Sequence, residues 1–300
     1  MTAPAVQAAT GDGFETWLSQ AWQAHAETPD AVMAELRSRA PRLPDSADGA
    51  DALCLAEHLW LAHRGNAAGL EALLPQVPAH AALAAQRRRT QWVLDTLAGR
   101  PAVPPPAAAR LRGLHSVVMV LLHRGDVAEA RRRLLADEAD VLRRAAAGAD
   151  ADTDALRGYA ASAHNTSNDI RSLPREAARD ALMLDAAALA HRLWSATGAW
   201  LNIERADYQL ALCHATLGQG GPALRHAQAC LARCEAEGAD AMERFFAHEA
   251  LARARHALGD GEAAAAHRRR MQALLAGIHD DGTRAGCRGT LSALPAEPGR

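Results

Sequence analysis

The chain has 300 residues, of which 49% are hydrophobic but only 4% aromatic, and its formal net charge at pH 7 is −2. That length admits two modest domains or one continuous superhelix, and the near-neutral balance excludes a field that would recruit nucleic acid or an anionic membrane. Five cysteines (54, 213, 230, 234 and 287) are odd in number and sparse, which argues against a disulfide framework and for a reducing cytoplasm.

Residues 1–11 read as a flexible tail with neither the basic start nor the apolar stretch of a secretion signal. No apolar run approaches the ~18 residues that a membrane span needs, so a soluble intracellular chain is expected. The hydrophobic content rests on alanine and leucine, which favours helices packed through small side chains over a sheet.

In chain order, a first helix is predicted after Asp12, with Phe14, Trp17, Leu18, Ala21 and Trp22 on one face. Pro29 restarts the pattern to about Ala40, and Asp48 to His63 follows. His63-Arg64-Gly65-Asn66 and His123-Arg124-Gly125-Asp126 are matching corners: glycine stops one helix and Asn or Asp caps the next. One long helix is expected from Pro78 to Leu97. The proline-rich stretch from Pro101 to Pro106 cannot be helical in its middle. Further helices are expected at Leu111–Leu122 and from Val127 to about Ala145. The acidic stretch from Gly148 to Asp154 marks the boundary between an amino-terminal helical-hairpin region (12–147) and a repeat region (153–279). The second region is expected to hold helices over Thr153–Leu173, Arg175–Gly198, Asn202–Gly218, Pro222–Glu237, Asp240–Leu258 and Glu262–Gly277. Residues 280–300 are expected to be a tail with one short helix around Thr290. The total is about thirteen helices in antiparallel pairs.

One hairpin is written twice. Leu210, Ala211 and Gly218, followed by Ala223, His226 and Cys230, return 41 residues later as Leu251, Ala252, Gly259, Ala264, His267 and Met271. These positions resemble the tetratricopeptide-repeat pattern. The resemblance implies an all-α fold of antiparallel helical hairpins stacked as a right-handed superhelix (an α-solenoid) with a concave inner wall. It also implies that Ala211 faces Ala223, and Ala252 faces Ala264. The period of 41 is longer than the usual ~34, and the early tryptophan and terminal proline of the consensus are missing. The segment from Asn165 to Ala266, with His191, Trp194, Gly198, Asn202, Cys234 and Glu249-Ala250, is also similar to uncharacterised bacterial proteins. That similarity implies no established activity.

In tetratricopeptide repeats the inner wall comes from the first helix of each hairpin. Carried over, this places Arg205, Tyr208, Gln209 and Leu212 on the wall from one hairpin, and Phe246, Glu249, Ala250 and Arg253 from the next. Asn202 and Glu243 lie just upstream, the preceding helix offers Asn165, Asn168 and Arg171, and His191 falls within the same region. Asparagine amides can bond a peptide backbone in both senses, and arginine can grip a carboxylate bidentately. The plain alternative is that these are ordinary polar residues at helix ends and between helices, with Glu249 and Arg253 a plain i, i+4 pair.

His226, Cys230 and Cys234 suggest a soft metal. However, His226 and Cys234 are ~12 Å apart along a helix, whereas two thiolates of one zinc lie within ~4.6 Å. Only an adjacent pair could serve, so buried packing of the cysteines is the expectation and no metal or other cofactor is assigned. No nucleophile elbow, phosphate loop or HExxH helix is present. His164 and His191 are the residues to test if there is catalysis, and no catalytic residue is assigned. The triplets Arg87–Arg89, Arg131–Arg133 and Arg268–Arg270 are spread around their helices and form no nucleic-acid stripe. The expected function is a non-catalytic scaffold holding a partner protein or peptide in a groove. A small-ligand or signalling-peptide sensor, a helical metal-binding protein or enzyme, and a homodimer stay open as alternatives.

Overall fold

The computed structural model describes residues 12–147 and 153–294. The expected tail at 1–11, the core of the acidic boundary at 148–152 and the last residues, 295–300, lie outside the described residues. Among the described residues the chain is all helical, with no strand, and no helix is long and apolar enough to cross a membrane. The chain divides into two compact units between Arg133 and Leu134.

The first unit holds α1 (Asp12–Ala24), α2 (Pro29–Arg39), α3 (Ala47–Glu57), α4 (Ala67–Leu73), α5 (Ala84–Ala98) and α6 (Ala107–His123). It also holds most of α7 (Val127–Leu135), and α3 runs on without a break into a π-helical stretch, His58–His63. Its core gathers Trp17, Leu18, Leu36, Leu53, Leu59, Trp60, Val93 and Val117. The two corners behave as their residues require. Gly65 and Gly125 take positive φ, the Asn66 side chain accepts from the Gly69 N–H, and Asp126 accepts from the Glu129 N–H.

Buried Glu57 joins three helices of this unit. Its Oε2 accepts from Thr90 (2.7 Å) and Gln86 (2.9 Å), and its Oε1 accepts from Ser116 (2.8 Å). Arg89 also reaches Oε2 at 3.4 Å, while Arg87 donates to the carbonyls of Leu74 and Val77 and Arg88 is exposed. This arginine triplet therefore points three ways, as helical geometry demands.

Three expected boundaries are corrected. The helix expected from Pro78 begins only at Ala84, because the Ala82 N–H is taken by the Asp45 carboxylate at 2.8 Å. The helix expected from Val127 to Ala145 breaks at 136–137 into α7 and α8 (Glu138–Ala146). The Leu134 carbonyl receives the Tyr159 hydroxyl, and Glu138 pairs with Arg192 at 2.5 Å. Both bonds tie this stretch to the second unit, so the division falls ahead of 148–154. The short helix expected around Thr290 within a tail is the longer α15 (Asp281–Ser292). Asp280 caps it, and Cys287, Leu291 and Leu294 bury themselves in the core with Phe245 and Met271. Glycines 282, 286 and 289 hide the first turns of this helix from propensity arguments.

The second unit continues with α9 (Thr153–Arg171), α10 (Ala177–Thr197), α11 (Trp200–Thr216), α12 (Gly220–Ala236), α13 (Ala241–Ala257) and α14 (Gly261–Leu274). Each packs against the next in sequence, and the alternate helices α9, α11 and α13 also touch in succession. Glycines 198, 218 and 259 adopt the left-handed conformation that stops a helix. Ala211, Ala223, Ala227, Ala250 and Ala254 are completely buried in one cluster. Ala250 was expected on the groove wall and lies in this core instead. In the second hairpin Ala252 packs with Phe245, Met271 and Leu275, while Ala264 is half-buried outside that cluster. Large side chains close that end of the unit where the alanine pairing implied by the repeat would have served.

Alanine at a contact lets helix axes approach the short end of the usual ~8–10 Å. Ala223→Leu is therefore expected to overpack the α11–α12–α13 layer and destabilise the protein by about 1–3 kcal/mol. Urea unfolding would report this as a lower midpoint at constant m. An unchanged midpoint would show that the layer has room to spare.

Candidate functional site

Helical spacing on three neighbouring helices builds one hollow of about 330 Å³. From α9 come His164, Asn168 and Arg171; from α11, Glu204, Arg205, Tyr208 and Gln209; from α13, Met242, Glu243 and Phe246. Positions three and four apart share a helix face, which is why each helix contributes a short run of neighbours. Asn168, Arg171, Arg205, Tyr208, Gln209 and Phe246 were expected here from sequence, and the structure brings all six together.

The wall is cross-linked. Arg205 forms an ion pair with Glu243. The Tyr208 hydroxyl donates to Glu249 Oε2 at 2.8 Å, and Arg253 Nε donates to Glu249 Oε1 at 2.7 Å. Gln209 donates to Ser167 Oγ at 3.2 Å, and Arg171 donates to Asn168 Oδ1 at 3.1 Å. The Tyr208 ring meets Phe246 edge-on, with centroids 5.8 Å apart. Burial and the Glu249 charge push the Tyr208 hydroxyl well above its ordinary pKa and keep it a donor. Burial lowers the His164 pKa, and Arg205 and Arg171 push it the same way, favouring a neutral imidazole.

Seven expected groove residues do not line the hollow, and of these Leu212 and Ala250 are buried in the core. Glu249 and Arg253 stand behind it. Glu249 is only 3% exposed, and the i, i+4 pair braces Tyr208 from behind the wall. Asn165 and Asn202 are half-buried outside the lining. His191 belongs to a different network. Its Nε2 donates to Asp207 Oδ1 at 3.1 Å, and His226 Nδ1 donates to the same oxygen at 3.0 Å. His214 stacks on His226 at 5.8 Å, nearly parallel at 4°. Burial pushes the Asp207 carboxyl up, but its hydrogen bonds from His191 and His226 outweigh that, and the net shift is downward.

Glu204 and Met242 were missed. Met242 precedes Phe246 by one helical turn, a spacing that could have found it. Glu204 is hidden because its partners sit far along the chain: Cys230 donates to Oε1 at 2.8 Å and Cys234 at 3.5 Å. Oε2 of Glu204 is buried without a hydrogen-bond partner. Burial raises the Glu204 pKa, with the Cys230 hydrogen bond opposing. The cysteines thus share a carboxylate, while His226 goes to Asp207, and burial pushes the Cys213 thiol up to about 12. Two groups have ligand atoms close enough for one metal ion within a unit: Glu204 with Cys230 and Cys234, and His25 with His58 and His63.

A larger hollow of about 480 Å³ is lined by Leu231, Glu235, Arg244, His248, Arg270, Ala273 and Leu274. It contains none of the sequence-derived residues, and the α9–α11–α13 hollow is the better candidate on chemistry. His248 Nδ1 lies 3.1 Å from His267 Nδ1. Burial, then the nearby His267, Arg270 and Arg244, lower His248 to about 4.

No family model matches the chain, and no curated protein matches it. The site is defined by its geometry.

The depressed groups His248 and Asp207 set a pH dependence of the same sign. A pKa depressed on folding contributes stability above the unfolded value, and that stability is lost as pH falls through the folded value. His248 acts between its ordinary value of 6.5 and about 4. Asp207 acts below its ordinary 3.8. Acid unfolding is expected in two stages, the first reduced in His248→Gln and the second in Asp207→Asn. Asp207→Asn should also cost about 1–3 kcal/mol at neutral pH, because it strips a charged acceptor from two imidazoles. Stability profiles of the two variants that superimpose on the wild type would rule this account out.

Proposed function

We propose that the second unit is a tetratricopeptide-like scaffold, its hairpins stacked in a right-handed superhelix, that binds the carboxylate-bearing end of a partner peptide in the α9–α11–α13 hollow. Arg171 carries the reading. Of the two arginines in the lining, Arg205 is already neutralised by Glu243. Arg171 has only the Asn168 amide, with no carboxylate partner among the described residues, and its Nε is buried without a hydrogen-bond partner. A guanidinium beside an amide is suited to a carboxylate, which it can take bidentately. Tyr208, Phe246 and Met242 supply apolar surface for the adjoining side chain. A hollow of about 330 Å³ is at the small end of ligand sites, which suits one terminal residue better than a whole folded partner.

The reading is one of binding, carried by the residues that line the hollow. Five free cysteines fit a reducing compartment such as the cytoplasm.

An alanine-rich peptide ending in a free aspartate is expected to bind the full chain, measured by fluorescence anisotropy. Losing a charge-assisted pair costs about 1.5–3 kcal/mol, so Arg171→Ala should weaken binding by roughly 10- to 100-fold. Amide-capping the peptide should weaken it in the same direction. Equal affinity for the capped and free peptides, or for Arg171→Ala and wild type, would refute the carboxylate site.

A further inference from the structure

We propose that His25, His58 and His63 of the first unit form a binding site for a divalent transition-metal ion of the zinc class. The three histidines are scattered over 38 residues of sequence, yet their ligand nitrogens all lie within 4.8 Å of one another. Ring centroids are 5.2 Å apart for His25 and His58, 5.3 Å for His25 and His63, and 4.7 Å for His58 and His63. His58 Nε2 and His63 Nε2 are 3.0 Å apart. In a tetrahedral zinc site with ~2.0–2.1 Å bonds, neighbouring nitrogens stand about 3.4 Å apart, so a small rotation of the rings admits an ion.

The backbone supplies the second observation. His58 and His63 open and close the π-helical stretch. In an α-helix, at ~100° per residue, positions five apart point about 140° away from each other. A π-helix bonds residue i to i+5 and brings those two positions into line, and such turns are rare and frequently found at functional sites. The irregular backbone is what lets both imidazoles face the same point.

His25 is oriented by a third feature. It lies in the turn after α1, and its Nδ1 donates to the Trp22 carbonyl, leaving Nε2 as the lone-pair nitrogen. Metal-bound imidazoles are commonly held in this way by a carbonyl on the other ring nitrogen. The Trp22 ring packs edge-on against His25 at 5.4 Å, and its Nε1 donates to Asp51 at 2.8 Å. His115 stacks on His58 at 5.8 Å. All three candidate ligands are half-buried, so an ion can enter from solvent and keep one position for water or a further ligand. Neutral imidazoles suit zinc, copper or nickel, and carboxylate-seeking calcium or magnesium would be passed over. The Glu204–Cys230–Cys234 group is a weaker candidate, because its thiols already have the carboxylate as their acceptor.

The test uses the full chain, stripped with a chelator, dialysed and titrated with zinc chloride by calorimetry. Wild type is expected to bind one equivalent more than the His58→Asn/His63→Asn double variant. Cobalt(II) should give the intense visible spectrum of a four-coordinate site in wild type alone. His25→Gln, at a turn outside any helix, is expected to lose the same equivalent with helical circular dichroism unchanged, so a folding defect in the double variant cannot explain the loss. Equal zinc stoichiometry in wild type and His25→Gln, or a cobalt spectrum shared by wild type and the double variant, would overturn the site.

Discussion

The second unit depends on how closely α11, α12 and α13 approach one another. Ala211 on α11, Ala223 and Ala227 on α12, and Ala250 and Ala254 on α13 are buried in one layer with little more than a methyl group each. Small contacts of this kind yield little hydrophobic energy per residue, so their value lies in geometry. They bring backbones near enough for short polar side chains to reach across. The bonds from Tyr208 to Glu249, from His226 to Asp207 and from Cys230 to Glu204 all cross between these helices. Replace the alanines by leucines and those distances open, whatever happens to the hydrophobic total.

The buried carboxylates then act as register marks. A charge in a protein interior is costly unless it is paired, and removing one partner leaves the other exposed to that cost. Glu57 in the first unit shows the satisfied case, with donors from two other helices on its two oxygens. Glu249 is similar, held by Tyr208 and Arg253. Glu204 departs from this pattern, since one of its oxygens has no partner. Like Glu243, it borders the hollow.

Most of the helices were legible in sequence because their signals are local. Gly65, Gly125, Gly198 and Gly259 stop helices by a backbone preference that one residue carries. The copies offset by 41 residues located the first helices of the hairpins, and so four of the ten side chains around the hollow, with Asn168 and Arg171 added from the helix before them. Signals carried by tertiary contacts were not legible. The break after Leu135 depends on Tyr159, and the full extent of α15 depends on packing against Phe245 and Met271, neither of which a propensity or periodicity can register. His191 faced the right region of the chain but belongs to Asp207, a choice decided by which of two neighbouring helices it meets. The histidines of the first unit cannot be grouped from sequence, because periodicity assumes an α-helix throughout. A π-helical stretch breaks that assumption at the very residues concerned.

The two copies of the hairpin show where functional difference can arise on such a frame. Asp207 with His226, and His248 with His267, occupy equivalent positions, each pair bridging the two helices of its hairpin at about the same distance. In one copy a carboxylate gathers imidazoles, and their hydrogen bonds hold it below its ordinary pKa. In the other, two imidazoles meet near arginines, and the charged form is disfavoured on both. Tyr208 and Glu249 are likewise equivalent positions, yet they bond to each other along the row of first helices. The period therefore fixes where side chains stand, and substitutions within it decide what they do. Arg171 fits the same logic. It stands on the same row as Glu204, Arg205 and Glu243 but lacks an acidic partner among the described residues, and a cation left unpaired beside a hollow is a feature that packing alone does not require.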